Sequence, residues 1–441
     1  MTRPLGRPLR IVAVTETDSY VKWAAALLGG ARAEGRLIVL DTQLVVSDAQ
    51  LEAALAGTGL ATNRVARCTF DELAGELRGA DVVLAAARGP VGRVVARVAA
   101  GLDPRPVIAT GLPGISIPAT WLALHFRREC DVFLLHSHRE IRDFRELAAL
   151  RGITQRFALA TLPFARAVKL SGESTASSSM FSETSIASSA ASAVILSSSR
   201  ADGARPDGSG TDLVFAAQAI VPRERDDRVR MARILVRAAR ADPSRRVVLK
   251  LRGRPGEQQT HREDDAYPDL LAEMPDVPPN LVTSYEPMSR ALERAEGLVT
   301  VSSTAAIEAA AQGVPVIALD AFGVDPSLIN IVFEGSGLLA GEDDVVARRF
   351  RRPDPAWLRD NYFHDPVDDT WEEVLDELVA RRRGGELDPR PAPRAIGGRA
   401  RAAWERRIAL GNRDRSLAGR AVFAIGVPVR AVLRGVRRLT P

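Results

Sequence analysis

Lysine, cysteine, histidine and aromatic residues are all scarce in this 441-residue chain, and each scarcity closes off a class of function. Cys68 and Cys130 are the only cysteines, so neither a disulfide framework nor a cysteine-based metal site has the residues to form it. The five histidines include no H-E-x-x-H pattern. His136 and His138 stand two apart, which suits a strand end better than one face of a metal-binding helix, and no metal site is expected. Neither G-x-x-x-x-G-K-[ST] nor G-x-G-x-x-G occurs, so ATPase and dehydrogenase readings have no motif behind them. No run of about 18 apolar residues is present, and no membrane-spanning helix is expected. The opening MTRPLGRPLRIVAVTE reaches polar residues after one short strand, unlike a secretory signal, and a cytoplasmic location is the expectation. Aromatics make up 5% of the chain against 46% apolar residues overall, so its cores must be packed mainly with Val, Leu, Ile and Ala.

Lysine occurs three times, as Lys22, Lys169 and Lys250, against 57 arginines. Arginine counts therefore carry little information here, but their placement does. Residues 390–441 hold 13 Arg against Glu405 and Asp414, a net +11, which leaves −6 on the remaining 389 residues of a chain whose total is +5. A nucleic-acid groove calls for basic charge on the body, so no nucleic-acid partner is expected. A basic tail on an acidic body suits an anionic membrane surface, and PVRAVLRGVRRL (428–439) has the spacing of a basic amphipathic helix. The alternative is a solvated terminal helix.

Along the chain, short apolar strands alternate with amphipathic helices. Strands are expected at 9–16, 36–42, 130–138 and 157–164, and helices at 20–35, 48–59 and 139–152, with helix then strand over 69–89 and a strand running into a Gly/Pro loop over 104–116. The alternation breaks at a serine-rich stretch, where thirteen of residues 171–200 are serine. Such a composition cannot bury enough apolar area to offset its ordering entropy, and it reads as a flexible linker or insertion. The alternation resumes with strands at 211–221, 280–286, 298–303 and 314–320, a strand feeding a basic loop over 245–257, and helices at 222–243, 287–297 and 304–313. The expected organisation is an N-terminal Rossmann-like acceptor lobe (1–165), a linker (166–210), a C-terminal Rossmann-like donor lobe (211–385) and a basic tail (386–441). The fold class is α/β, two lobes of parallel sheet facing a cleft into which strand carboxyl ends present their loops.

Three segments could carry chemistry. In LVTVSSTAAIEAAAQGVPVIALD (298–320) a strand ends, Ser302, Ser303 and Thr304 turn the chain, and an alanine-rich helix begins. The free N–H groups and partial positive charge of a helix start favour an anion, and the hydroxyls add donors. Glu308, four residues after Thr304, shares its face and could accept from both hydroxyls of a ribose. The competing reading is that Ser303 only caps the helix and Glu308 is solvated. In VVLKLRGRPGEQQTHRE (247–263), Lys250, Arg252 and Arg254 alternate at a strand end and would neutralise phosphate, with Gln258 and His261 able to meet a base or sugar. The competing reading is an ordinary solvated edge. After the first strand, Glu16 and Asp18 stand where a base could take a proton from an acceptor hydroxyl. Simple capping by Asp18 or Ser19 is the alternative there. His136 and His138 end a strand of the first lobe and are further candidates for the cleft.

At these residues the chain resembles the GT-B glycosyltransferases, and within them a bacterial glycosyltransferase family. SSTAAIEAAAQGVPVIALD is similar to the donor-lobe segment shared by many GT-B enzymes and by the non-hydrolysing sugar-nucleotide 2-epimerases. The resemblance implies that Ser302, Ser303 and Thr304 meet the donor phosphate and Glu308 the ribose. The chain also resembles the sialyl-, polysialyl- and Kdo-type transferases and the glycerophosphate polymerases, which pair a serine-rich turn with a basic His-Pro loop. Here that loop reads Arg254-Pro255, so the base remains open between CMP and UDP, GDP or CDP. The acidic pair that sialyl-type enzymes use is approached only by Glu16 and Asp18. The implied activity is transfer of a sugar from a nucleotide donor to a glycan or lipid-linked cell-envelope acceptor, with no cofactor and no bound metal, at the inner face of the plasma membrane. The rivals are an epimerase of the same architecture and a non-catalytic nucleotide-sugar-binding protein.

Overall fold

The computed structural model describes residues 7–165, 210–253, 263–388 and 398–426. The first lobe is a seven-stranded sheet of β1 (Arg10–Thr15), β2 (Glu34–Leu40), β3 (Val65–Cys68), β4 (Val82–Ala85), β5 (Val107–Gly111), β6 (Val132–Leu135) and β7 (Phe157–Leu159). Its order is β3-β2-β1-β4-β5-β6-β7 and every pair is parallel. The inner strands are short Val/Ile/Leu/Ala runs buried on both faces, as a sheet covered by helices on each side requires. The second lobe repeats the plan with β8 (Asp212–Ala216), β9 (Val247–Lys250), β10 (Leu281–Ser284), β11 (Ala295–Thr300), β12 (Val316–Leu319) and β13 (Leu339–Ala340), in the order β10-β9-β8-β11-β12-β13, again all parallel. In both sheets the strand order reverses beside the first strand, at β1/β4 and at β8/β11. The loops beyond those two strand pairs part and leave a crevice at each reversal.

The two α/β lobes match the expected fold class. Several elements differ from the sequence expectation. β3 and β13 are edge strands of four and two residues, too short to show a period. The helices Trp121–Arg127 and Tyr267–Ala272 sit in stretches to which the sequence pattern assigns no element. The helix expected over 304–313 spans Ala305–Ala311, and the strand before it begins at Ala295. The serine-rich stretch and the amphipathic segment 428–439 lie outside the described residues.

The C-terminal part of the chain does not stay with the second lobe. The helix Trp371–Arg383, counted by sequence with the donor lobe, buries Trp371, Leu375, Leu378 and Val379 in the core of the first lobe. Each fully buried side chain of this size is worth about 1.5–3 kcal/mol, which fixes the crossing. Thr370 N–H donates to the Leu159 carbonyl (3.0 Å) and so extends the edge at β7. The helix Gly398–Leu410, expected in a free tail, also docks on the first lobe. Ala409 and Leu410 enter its core, and Arg406 pairs with Asp71 (3.0 Å). The arginine-rich composition hid the apolar contacts that anchor this segment.

Candidate functional site

At the first reversal, Glu16 and Arg88 face each other from the loops after β1 and β4. Glu16 is fully buried, and its oxygens accept from Arg88 N (2.8 Å), Nε (3.0 Å) and Nη2 (2.9 Å). A carboxylate so engaged, with no exposure, is not free to take a proton from a substrate. The expectation that Glu16 serves as a base is therefore corrected: it locks the crevice floor. Asp18 opens the helix Asp18–Gly30 and remains 43% exposed, with Ser19 Oγ donating to it at 3.4 Å. Thr17, the N-cap of that helix, makes no side-chain cap, and the Asp18 carboxylate faces Arg252 of the other lobe, 4.0 Å away.

At the second reversal the groups are neutral. Gln218, in the loop after β8, accepts from Ser302 N at 3.0 Å through Oε1 and donates through Nε2 to Ser302 Oγ at 3.1 Å. Ser302 is buried in this pairing. Ser303 Oγ accepts from Ala305 N (3.2 Å) and caps the short helix, and Ser303 N donates to Thr300 Oγ1 (3.0 Å). Thr304 makes no cap and faces the other lobe: a Cβ on Gly114 would fall 2.7 Å from Thr304 Cγ2, so the 111–114 loop needs glycine for this approach. Gln218 was not singled out from the sequence. The loop that carries it is held by the buried Arg228, which donates to the carbonyls of Gln218 (3.1 Å) and Pro222 (3.2 Å).

The cations stand beside this turn. Lys250 ends β9, is almost wholly buried, and donates to the Leu251 carbonyl. Burial, reinforced by the Arg252 charge, pushes its pKa down to about 8, with Glu308 and Glu286 opposing. Arg252 crosses the cleft, donating from Nη2 to Ser19 Oγ (2.9 Å) and lying 4.0 Å from Asp18 Oδ2. Glu308 is also met from the first lobe, by Lys22 Nζ at 3.4 Å from Oε1. Lys22 is half-exposed and Glu308 largely covered. Lys22 was passed over as one residue of a helix, because its partner is 286 positions away. The structure thus brings Asp18, Lys250, Arg252, Thr304 and Glu308 to one cleft. Arg254, Gln258 and His261 lie outside the described residues.

The two histidines lie elsewhere. His136 is fully buried; Trp23 Nε1–H donates to its Nε2 (2.8 Å), which also lies 2.8 Å from the Leu112 carbonyl, and its Nδ1 lies 2.6 Å from the Ala160 carbonyl. It is a strut beneath the loops, and its expected place in the cleft is corrected on that ground. His138 Nε2 lies 3.0 Å from Asp368 Oδ2 with the His364 ring 5.6 Å away, so it faces the crossing segment. Glu140, two residues on, was not anticipated. It accepts from Ser116 N (2.8 Å), His136 N (2.8 Å) and Tyr362 Oη (3.0 Å), tying the 111–118 loop to the crossing segment, and complete burial raises its pKa to about 7 despite those bonds. Among the described residues, no group of three or more His, Cys, Asp or Glu is placed to hold a metal ion, and no helix is long and apolar enough to cross a membrane.

The model of a family described as "Putative glycosyltransferase (DUF6716)" matches residues 11–378. Among curated proteins none matches the sequence. Solved structures do. A complex of Staphylococcus aureus MnaA with UDP aligns with a TM-score of 0.50 at 11% identity, over 86% of this chain and 97% of that one. The UDP-GlcNAc 2-epimerase of Methanocaldococcus jannaschii with UDP-GlcNAc and UDP aligns with a TM-score of 0.51 at 10% identity, over 84% and 100%. The spinosyn rhamnosyltransferase SpnG is matched at 13% identity with a TM-score of 0.40, over 87% and 98%. At such identities the likeness is one of fold: two Rossmann-like lobes in the GT-B arrangement.

Proposed function

The chain belongs to this glycosyltransferase family, and from that premise we propose that it moves a sugar from a nucleotide-activated donor to a glycan or lipid-linked cell-envelope acceptor without a bound metal. The observation that carries the reading is the cluster of cationic and hydroxyl groups at one crevice. Lys250, Arg252 and the Ser302–Thr304 turn converge at the second-lobe reversal, with Glu308 one helical turn away and Asp18 opposite. The donor diphosphate or monophosphate lies against Lys250 and Arg252, and the ribose hydroxyls donate to Glu308 in place of Lys22. The acceptor oxygen forms a bond to the anomeric carbon as the bond to the phosphate oxygen breaks. The electron pair leaves with the nucleotide, where the two cations meet the charge as it develops. Asp18 takes the acceptor proton. The C-terminal segment, arginine-rich beyond residue 390, gives the chain a contact with an anionic membrane at the cytoplasmic face.

A thermal-shift screen with CMP, UDP, GDP and CDP identifies the base, since a nucleotide at 100 times its dissociation constant stabilises by about 2.7 kcal/mol. Candidate sugar donors built on that nucleotide are then incubated with and without acceptor. Sugar transfer that requires acceptor supports the proposal. Epimer formed without acceptor would show instead an epimerase of the same architecture, and tight binding with no turnover a nucleotide-sugar-binding protein.

A further inference from the structure

On the outer flank of the first lobe, the helices Gly89–Ala100, Trp121–Arg127 and Gly398–Leu410 enclose a groove of about 610 Å3. Pro90, Phe126, Ala400, Trp404, Ile408 and Val422 make its walls apolar. One side is different. Arg93 and His125 line the groove, and Arg93 Nε and His125 Nδ1 are buried with no hydrogen-bond partner among the described residues. The Arg93 side chain is 5% exposed and lies over the Phe126 ring (4.6 Å); Nη2 donates to the His125 carbonyl, and the guanidinium forms ion pairs with Glu129 (3.6 Å, through Nε) and Glu405 (3.8 Å). Glu405 also lines the groove but is already held by Arg97 and by Arg401 (3.2 Å). An apolar trough of this size with a few converging polar groups is how proteins receive a small amphiphile.

Its position narrows the ligand. Pro90 lies two residues beyond Arg88, the group that grips Glu16 on the floor of the acceptor-side crevice. At the other end the apolar surface continues onto the helical residues 417–426, where Phe423 stacks on Trp404 (5.3 Å) and Leu417 and Ile425 are 81% and 70% exposed. Apolar surface leading to a buried guanidinium beside an acceptor crevice matches a long hydrocarbon chain that ends in phosphate. We infer that this groove holds the apolar chain of a lipid-linked acceptor, with the acceptor phosphate at Arg93. The inference rests on the transferase reading above for the identity of the acceptor, but the groove can be tested without turnover.

The test is calorimetric titration of the full chain with monomeric farnesyl phosphate and with ethyl phosphate, in wild type and in Ala400→Trp, which fills the groove. Val422→Trp is the second variant should the first not fold. Each methylene that leaves water is worth about fourfold in affinity, so farnesyl phosphate should bind wild type roughly a hundredfold or more tighter than ethyl phosphate. The groove variant should lose at least tenfold of that preference and keep the wild-type thermal shift with the panel of CMP, UDP, GDP and CDP. Equal affinity for the two phosphates, or farnesyl phosphate binding unchanged in both variants, overturns the inference. A chain-length preference abolished by the variants, in a protein that no nucleotide stabilises, supports the groove as a lipid site while it overturns the transferase reading.

Discussion

The crevices of the two lobes arise from the same strand reversal and are furnished in opposite ways. In the first, the residues that meet across the reversal are Glu16 and Arg88, a buried carboxylate and a guanidinium that satisfy each other. In the second they are Gln218 and Ser302, neutral groups that fix the turn, while the nearby Lys250 has, among the described residues, a main-chain carbonyl as hydrogen-bond acceptor. Topology supplies the crevice in both cases. Electrostatics decides its use: a self-neutralised crevice offers an anion nothing, whereas a desolvated cation beside a hydroxyl-rich turn gains most when a phosphate arrives.

The comparison breaks most visibly in the first crevice. Replacing Arg88 by Ala leaves the Glu16 charge buried without its guanidinium, with the main-chain N–H of residue 88 still donating, and the unfolding free energy should fall by about 3–5 kcal/mol. Chemical denaturation measures this, and a loss below about 1 kcal/mol would mean that the pair is not the lock described. Glu140 gives the next largest effect. Its folded pKa of about 7 lies above the ordinary glutamate value of 4.5, so the folded chain keeps a proton that the unfolded chain releases. Its contribution to stability is complete below pH 4.5 and is lost as pH rises through 7, on the order of 3 kcal/mol in all. Glu140→Gln should flatten the pH–stability curve over that window; an unchanged slope would place the titration elsewhere.

In the proposed donor crevice, Glu308→Ala would remove the charged acceptor proposed for the ribose, worth about 1.5–3 kcal/mol, and nucleotide affinity should drop tenfold or more with the fold intact. Full affinity in that variant would contradict the ribose assignment. The smallest effect is expected at Lys22. Its pairing with Glu308 is a half-exposed one worth about 0–1 kcal/mol, so Lys22→Ala should barely change stability. Because it frees Glu308, it should leave nucleotide affinity equal or slightly improved, and a tenfold loss would show that Lys22 itself holds the donor.

How much of this could be read from the chain depends on how far apart the partners lie. The alternation of short apolar strands with amphipathic helices is local, and it displayed both lobes. The 298–320 unit is likewise continuous in sequence, so its turn and the position of Glu308 were legible. What ties the site together is not. Arg88 reaches Glu16 over 72 residues, Gln218 reaches Ser302 over 84, and Lys22 reaches Glu308 over 286. None of these distances leaves a periodic trace. Glu16 and Asp18 look equivalent two residues apart, and only burial separates the locked carboxylate from the open one. The return of Trp371–Arg383 to the first lobe was hidden for the same reason: an apolar helical face shows that it packs, not against which core.

The most direct test of the donor crevice is proton uptake on nucleotide binding. At pH 8.5 most Lys250 is neutral, because burial holds its pKa near 8, and a bound phosphate raises that pKa. Calorimetry with the best nucleotide of the screen, in two buffers of different ionisation enthalpy, should therefore show a substantial fraction of a proton taken up per site at pH 8.5. Little uptake is expected at pH 6.5, and none in Lys250→Met. Binding without uptake at pH 8.5, or uptake that persists in Lys250→Met, would contradict a donor phosphate at Lys250.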